Sequence, residues 1–83
     1  MTDKQEIFEA IETHLVARGL DQDAITMQAD LLRDLDLDSL DTMELTVGME
    51  ERFGIEIPDT ELESLRTVED AVQMIGRRLA VNA

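Results

Sequence analysis

Cysteine, tryptophan and tyrosine are absent from this sequence of 83 residues, and proline and histidine each occur once. Without cysteine the chain can form neither a disulfide nor a thiolate metal site, and it supplies no thiol of its own. Its charged amino end does not lead into the apolar segment of a secretory signal, and no apolar run approaches the ~20 residues of a membrane-spanning helix. We therefore expect a single cytoplasmic, monomeric domain over residues 1–83, too small for a large catalytic cleft.

Basic side chains are also scarce, with 7 lysines and arginines against 20 acidic residues and a formal net charge of −13. Nucleic acids and anionic membranes carry the same sign of charge, so we expect neither as a partner. The charge favours protein partners that present basic docking patches, because long-range attraction speeds their encounter. The same acidity would also serve solubility alone, so charge by itself does not identify a partner.

Apolar residues at helical spacing predict an all-α fold, a four-helix bundle with a long first loop and a short third helix. Thr2 with Gln5 and Thr67 with Asp70 have the spacing of capping boxes, which indicates two helix starts. Gly54 is placed to end a helix. The predicted elements are a helix from Thr2 to Arg18, a loop over Leu20–Leu37, a helix over Ser39–Phe53, a short helical turn near Asp59–Leu65 and a helix opening at Thr67.

The long predicted loop is rich in apolar residues, although they follow no sustained period. Such a segment is too apolar for a free linker, so we expect it to pack against the bundle. The residues concerned are Leu20, Ile25, Leu31, Leu32, Leu35 and Leu37.

The helix after Ser39 carries apolar residues on two separate faces when they are placed at helical steps of about 100°. One face is free of charged residues and should be buried in the core. Its members are Leu45, Met49 and Phe53, joined by Thr42 and Thr46.

The second face is an apolar stripe with carboxylates on both sides. The stripe consists of Leu40, Met43 and Val47, and the bordering acids are Glu44, Glu51 and Glu50. Because unpaired buried carboxylates are costly, we interpret the stripe as an exposed docking surface with an acidic rim. Two alternatives stay open: an amphipathic face broadened by chance, and a Leu40 side chain buried under the long loop.

Ser39 lies at the start of this helix, where a serine usually acts only as the N-cap. Here Asp38 can fill the cap position with Asp41 three residues on, which leaves Ser39 one place inside and its hydroxyl unneeded for capping. An anionic group on that hydroxyl would be favoured by ~0.3–1 kcal/mol at the positive end of the helix dipole. Spacing and dipole permit an anionic modification but do not require one.

The same residues partly resemble two other kinds of functional site, a calcium-binding loop and a nucleophilic serine. Asp34, Asp36 and Asp38 imitate the opening of a calcium-binding loop, but Ser39 stands where that loop needs glycine and Leu45 where it needs glutamate. The sequence therefore predicts no defined metal site.

Nucleophilic catalysis by Ser39 is equally poorly supported. The chain has one histidine, His14, at the edge of the first helix's apolar stripe, and one lysine, Lys4. Neither lies near Ser39 in sequence to act as its base, so we predict no catalytic residue and no enzyme activity.

Three sequence blocks follow one another in order: LDLDSLDTMEL, EERFGIEIPD and LRTVEDAVQMI. With these blocks the chain resembles an acyl carrier protein over nearly its full length. The resemblance implies a four-helix bundle, in agreement with the periodicity, and a non-catalytic carrier of acyl intermediates in fatty acid biosynthesis. The family also shelters the acyl chain between helices, for which Phe53, Ile57 and Ile75 are candidates here.

The resemblance implies Ser39, in the sequence Asp38-Ser39-Leu40, as the attachment point of 4'-phosphopantetheine, which a phosphopantetheinyl transferase takes from coenzyme A. The terminal thiol of that arm would carry acyl groups as thioesters and would supply the thiol that the chain lacks. The helix after Ser39 would dock the acyl-processing enzymes. The matching docking positions are Leu40, Asp41, Met43, Glu44, Val47 and Glu51.

Some residues depart from the pattern common in the family. Arg52 is a base where many members carry an acid, and Asp36-Leu37 replaces the Gly-Ala often found before Asp-Ser-Leu. Gly48 within a helix should cost about 1 kcal/mol relative to alanine, and it would let a partner approach closely. These departures keep open a discrete carrier of a polyketide or other specialised acyl pathway. An acidic helical adaptor without a prosthetic group is the alternative of a different class.

Overall fold

The computed structural model describes residues 3–82 and is built of helices joined by one long and two short connections. Its elements are α1 (Lys4–Ala17), a single 3-10 turn (Gln22–Ala24), α2 (Ser39–Phe53), α3 (Asp59–Leu62) and α4 (Val68–Asn82). The described range contains four α-helices and no strand, which confirms the predicted all-α fold with its long first loop and short third helix. None of the described helices is both long and apolar enough to cross a membrane.

Both ends of α1 follow from local chemistry. Asp3 is the N-cap, and its carboxylate oxygen accepts a 2.9 Å hydrogen bond from the Glu6 backbone N–H. The predicted cap, Thr2, lies outside the described residues, and the cap of the helix is one residue later. At the other end Gly19, with φ +101°, adopts the left-handed backbone that lets the Leu20 N–H donate back to the Leu15 carbonyl.

The capping box predicted for the last helix is confirmed. The Asp70 N–H donates to the Thr67 hydroxyl oxygen at 3.2 Å, and the Thr67 N–H donates to the Asp70 carboxylate at 3.1 Å. The prediction for α3 was too long, because the helix ends at Leu62 and the next residues form a turn. Pro58 precedes α3 and its side chain makes no capping bond, so little local chemistry supports a longer helix.

The core lies between α1, α2 and α4, and the long loop closes it. Its largest fully buried side chains are Ile7, Ile11, Leu15, Leu45, Val68, Val72, Met74 and Ile75. The loop adds Ile25, Leu31, Leu35 and Leu37, all buried as predicted. Leu32 was predicted to pack with them, but its side chain is 64% exposed, because neighbouring residues of a loop need not face the same way.

Backbone hydrogen bonds fasten the loop to the start of α4. The Leu31 N–H donates to the Arg66 carbonyl at 2.8 Å, and the N–H groups of Val68 and Glu69 donate to carbonyls of the loop at 3.0 Å. These bonds satisfy N–H groups at the first turn of α4 that have no partner within the helix. They also fix the course of the loop, which runs from this contact to the start of α2.

Candidate functional site

The start of α2 is capped by two aspartates. The Asp41 N–H donates to the Asp38 carboxylate at 2.9 Å, and the Asp38 N–H donates to the Asp41 carboxylate at 3.3 Å. This reciprocal pair is the capping box predicted from the sequence. Ser39 is the first residue of the helix and is exposed, and neither capping bond uses its hydroxyl. A free primary hydroxyl therefore stands at the positive end of a helix of 15 residues.

The turn into α2 depends on Asp36, which is the one described residue other than glycine with a positive φ, at +56°. This left-handed conformation is uncommon for residues other than glycine, and aspartate and asparagine tolerate it best. Next to it, the Leu37 N–H donates to the Leu31 carbonyl at 2.9 Å and the Leu37 side chain is buried. The sequence Asp36-Leu37 thus turns the chain and anchors it immediately before Ser39.

The second face of α2 is exposed to solvent. The exposed fractions are 62% for Leu40, 46% for Met43 and 45% for Val47, whereas Leu45 and Met49 on the opposite face are buried. The predicted division of the helix into a core face and an exposed apolar strip is confirmed, and the strip is not covered by the loop. We call Leu40, Met43 and Val47 the α2 strip from here on.

The acidic rim of the α2 strip differs from the prediction on both sides. Arg18, at the end of α1, forms ion pairs with Glu44 and with Asp41, the latter at 3.4 Å between Nη2 and Oδ1. On the other side the Glu50 carboxylate makes an internal contact, since its Oε2 accepts a 2.8 Å hydrogen bond from the Ile57 backbone N–H. Glu51 is exposed. Sequence spacing gave no signal for Arg18, which is far from its acidic partners along the chain.

Gly48 faces α1 rather than a partner. A Cβ atom built at this position would lie 3.0 Å from His14 Nδ1 and 3.1 Å from His14 Cε1. The predicted role of Gly48 in partner approach is therefore wrong, because the missing side chain makes room for His14 within the bundle. Burial lowers the pKa of the His14 imidazole, and the Arg18 guanidinium lowers it further.

A groove of about 790 Å³ opens beside Ser39, between the long loop, the first turns of α2 and the segment after α3. Its lining includes Gln28, Leu31, Leu32, Arg33, Leu37, Thr42, Met43, Leu62, Leu65 and Arg66. The predicted acyl-shelter residues do not line it. Ile57 and Ile75 are buried in the packed core, and Phe53 is packed against that core. Sequence spacing missed the groove because its walls come from segments far apart in the chain.

Two aspartates of the long loop accept hydrogen bonds from the backbone of the same loop. The Asp34 carboxylate accepts a 2.7 Å bond from the Asp30 N–H, and the Asp30 carboxylate accepts bonds from the Leu32 and Arg33 N–H groups. The Arg33 N–H is the main reason that the pKa of Asp30 lies below its usual value. Within residues 3–82 no group of three or more histidine or acidic side chains is arranged to hold a metal ion.

Comparisons with known proteins place this chain in a family. The family model described as the phosphopantetheine attachment site matches residues 14–75. The acyl carrier protein of Petrotoga mobilis is 39% identical over 80 residues, an alignment that covers 95% of this chain and 94% of the relative. The chain belongs to the acyl carrier protein family.

Other acyl carrier proteins agree in sequence and in fold. That of Guillardia theta is 41% identical and covers 93% of this chain and 96% of its own length. That of Rubrobacter xylanophilus is 43% identical over 88% of this chain and 91% of its own. The crystal structure of the acyl carrier protein of Thermotoga maritima shares the fold with a TM-score of 0.80 at 24% identity, covering 96% and 93% of the two chains.

Acyl carrier proteins carry acyl groups on 4'-phosphopantetheine and pass them between acyl-processing enzymes, and they are not catalysts themselves. The start of α2 in this acyl carrier protein fits the group. Ser39 is exposed and its hydroxyl makes no capping hydrogen bond. The volume of the adjacent groove is within the ~300–1,000 Å³ range of small-molecule sites. The arm brings the thiol that forms the thioester.

Proposed function

We propose that Ser39 carries the 4'-phosphopantetheine arm and that the chain serves as a single-domain acyl carrier over residues 1–83 in fatty acid biosynthesis. The observation that supports this most directly is the exposed Ser39 hydroxyl at the first position of α2, within the segment matched by the phosphopantetheine attachment model. Asp38 contributes by capping the helix, which leaves that hydroxyl available.

In the attachment step the Ser39 oxygen bonds to the phosphorus that carries the pantetheine group of coenzyme A. Adenosine 3',5'-bisphosphate leaves with the electrons of the broken P–O bond, and the hydroxyl proton passes to a base of the phosphopantetheinyl transferase. The dipole of α2 favours the anionic phosphodiester that results, by ~0.3–1 kcal/mol. The reaction requires no catalytic residue from the carrier.

We further propose that the α2 strip and its acids dock the transferase and the acyl-processing enzymes through basic patches on those partners. The proposed docking residues are Leu40, Asp41, Met43, Glu44, Val47 and Glu51. The apolar strip offers contact area next to the attachment point, and the net charge of −13 steers basic surfaces towards it. Because an exchangeable carrier needs weak and fast binding, charge steering suits it better than a large apolar interface. A monomer in the cytoplasm is the state we propose.

The attachment is tested by the intact mass of the purified protein before and after incubation with coenzyme A, magnesium and a promiscuous phosphopantetheinyl transferase. Ser39→Ala removes the proposed acceptor. Ser64→Ala is the matched control, since Ser64 is the only other serine, is exposed, and also lies between an acid and a leucine. One added phosphopantetheine in the parent and in Ser64→Ala, and none in Ser39→Ala, is the expected result. Loading of the folded Ser39→Ala protein would refute the assignment.

A further inference from the structure

Two arginines, Arg33 and Arg66, line the groove that borders Ser39. Within residues 3–82 neither guanidinium lies within ion-pair distance of a carboxylate. Three of the other four arginines form ion pairs, since Arg18 pairs with acids of α2 and both Arg77 and Arg78 pair with Glu61 of α3, whereas Arg52 lies over the Phe53 ring. Two cations that form no ion pair within residues 3–82 thus share one groove in a chain that has 20 acidic residues.

The acids that also line the groove are Asp30, Asp38 and Glu63. The Asp30 carboxylate accepts hydrogen bonds from two backbone N–H groups, and the Asp38 carboxylate accepts one from the capping box. Both arginines act on the same carboxylate, because the guanidiniums of Arg33 and Arg66 each help to lower the pKa of Asp30. The two guanidiniums therefore lie near Asp30, one carboxylate oxygen of which is already engaged by the backbone.

A backbone hydrogen bond fastens together the two chain segments that carry the arginines. The Leu31 N–H donates to the carbonyl of Arg66 itself at 2.8 Å, and the Arg33 N–H donates to the Asp30 carboxylate at 2.9 Å. The loop that carries Arg33 is thereby fastened to the segment that carries Arg66. Two guanidiniums carried by joined segments of one groove suit an anion with several oxygens, which guanidinium recognises through parallel N–H donors.

We propose that Arg33 and Arg66 bind the phosphodiester of the phosphopantetheine arm and thereby hold the arm along this groove. The inference rests on the proposed attachment at Ser39, which puts the phosphodiester one bond from a residue of the groove wall. The remaining wall suits the rest of the arm, whose methyl and methylene groups can contact Leu62 and Leu65 while its amides meet polar groups such as Thr42. The protein then provides a docked position for the arm on its own surface, in addition to the extended position that partners use.

The test compares the apo and phosphopantetheine-loaded forms of the full chain by 1H–15N and 31P NMR, with loading verified by intact mass. We expect loading to shift the amide signals of Leu62, Leu65 and Thr67, which line the groove far from Ser39 in sequence. In Arg33→Gln/Arg66→Gln the ratio of docked to free arm should fall by about twofold to tenfold, as for the loss of two exposed ion pairs, and these shifts should shrink accordingly. Added salt should have the same effect in the parent.

Arg52→Gln is the matched control because it removes one positive charge outside the groove, where the Arg52 guanidinium lies 5.9 Å from the centre of the Phe53 ring. It should keep the full shifts. Successful loading with shifts confined to the neighbours of Ser39, and equal in all variants, would overturn the inference and leave the attachment intact. Failure of the parent to load would overturn both.

A carboxylate on the acyl cargo is the other anion that these arginines could meet. Loading from acetyl and from succinyl coenzyme A separates the two sources, because both products contain the phosphodiester and only the second ends in a carboxylate. Equal arginine-dependent shifts in both products are expected. Shifts that depend on the arginines only in the succinyl form would refute binding of the phosphodiester.

Discussion

Replacement of Gly48 by alanine sets two effects of similar size against each other. Alanine within a helix is favoured over glycine by about 1 kcal/mol, because glycine loses more backbone freedom on folding. The new Cβ, however, would lie 3.0 Å from His14 Nδ1, which is closer than ordinary van der Waals contact. Overpacking of this kind costs about 1–3 kcal/mol. We therefore expect Gly48→Ala to bring no gain and to lower the free energy of unfolding by up to about 2 kcal/mol.

His14→Ala provides the background that separates the two effects. His14 contributes both of the atoms within 4 Å of the added Cβ, so its removal leaves only the helix preference. In that background Gly48→Ala should raise the free energy of unfolding by about 1 kcal/mol. The coupling between the two positions should then be at least about 1 kcal/mol, within the range for residues in direct contact.

Urea unfolding followed by far-ultraviolet circular dichroism measures all four proteins of this cycle, with unfolding midpoints compared at equal slopes. The reasoning would be refuted by a gain of about 1 kcal/mol from Gly48→Ala in both backgrounds. That result would mean that His14 moves aside without cost and that Gly48 is not required by the packing of α1 against α2.

Three further predictions concern His14, Arg18 and Asp36. The pKa of His14 is lowered on folding, so the stabilising contribution of this residue is present above the unfolded pKa of 6.5 and is lost as the pH falls below that value. Urea titrations at a series of pH values on both sides of 6.5 should show this loss of stability in the parent and not in His14→Gln. Arg18→Gln should raise the affinity for a transferase by up to about fivefold, because it releases Asp41 and Glu44 from their ion pairs. Lys4→Gln makes the same change of net charge and should raise the affinity less. Equal gains in affinity, measured by binding titration, would mean that net charge alone is responsible. Asp36→Ala should lower the free energy of unfolding by about 1 kcal/mol, whereas Asp36→Gly should leave it unchanged, because glycine readily adopts the φ of +56°. A calorimetric unfolding midpoint that is higher for Asp36→Ala than for Asp36→Gly would contradict this.

The helices could be predicted because their signals are local. Asp38 with Asp41 and Thr67 with Asp70 lie three residues apart, so their capping boxes are visible in the sequence and occur in the structure. The bounds Ser39–Phe53 of α2 agree with the prediction for the same reason. The short α3 was predicted less well, because it has no side-chain cap to mark its extent.

The surroundings of Ser39 could be predicted only in part. Exposure of the α2 strip followed from helical periodicity along one element. The Arg18 ion pairs, the use of Glu50 by the Ile57 N–H and the contact of Gly48 with His14 each join residues from different elements. No periodic pattern carries that information, because each contact depends on how the helices and the loop pack in three dimensions.

The hydrogen bond from the Leu31 N–H to the Arg66 carbonyl joins two segments that line the groove beside Ser39, the long loop and the residues before α4. Separation of those segments breaks this bond and its neighbours at Val68 and Glu69, which fasten the same loop to α4. Widening of the groove is therefore a cooperative local opening rather than a gradual stretch. Amide protons at these three positions should exchange with solvent at a common rate, and that rate sets how often the protein admits a group wider than the groove at rest.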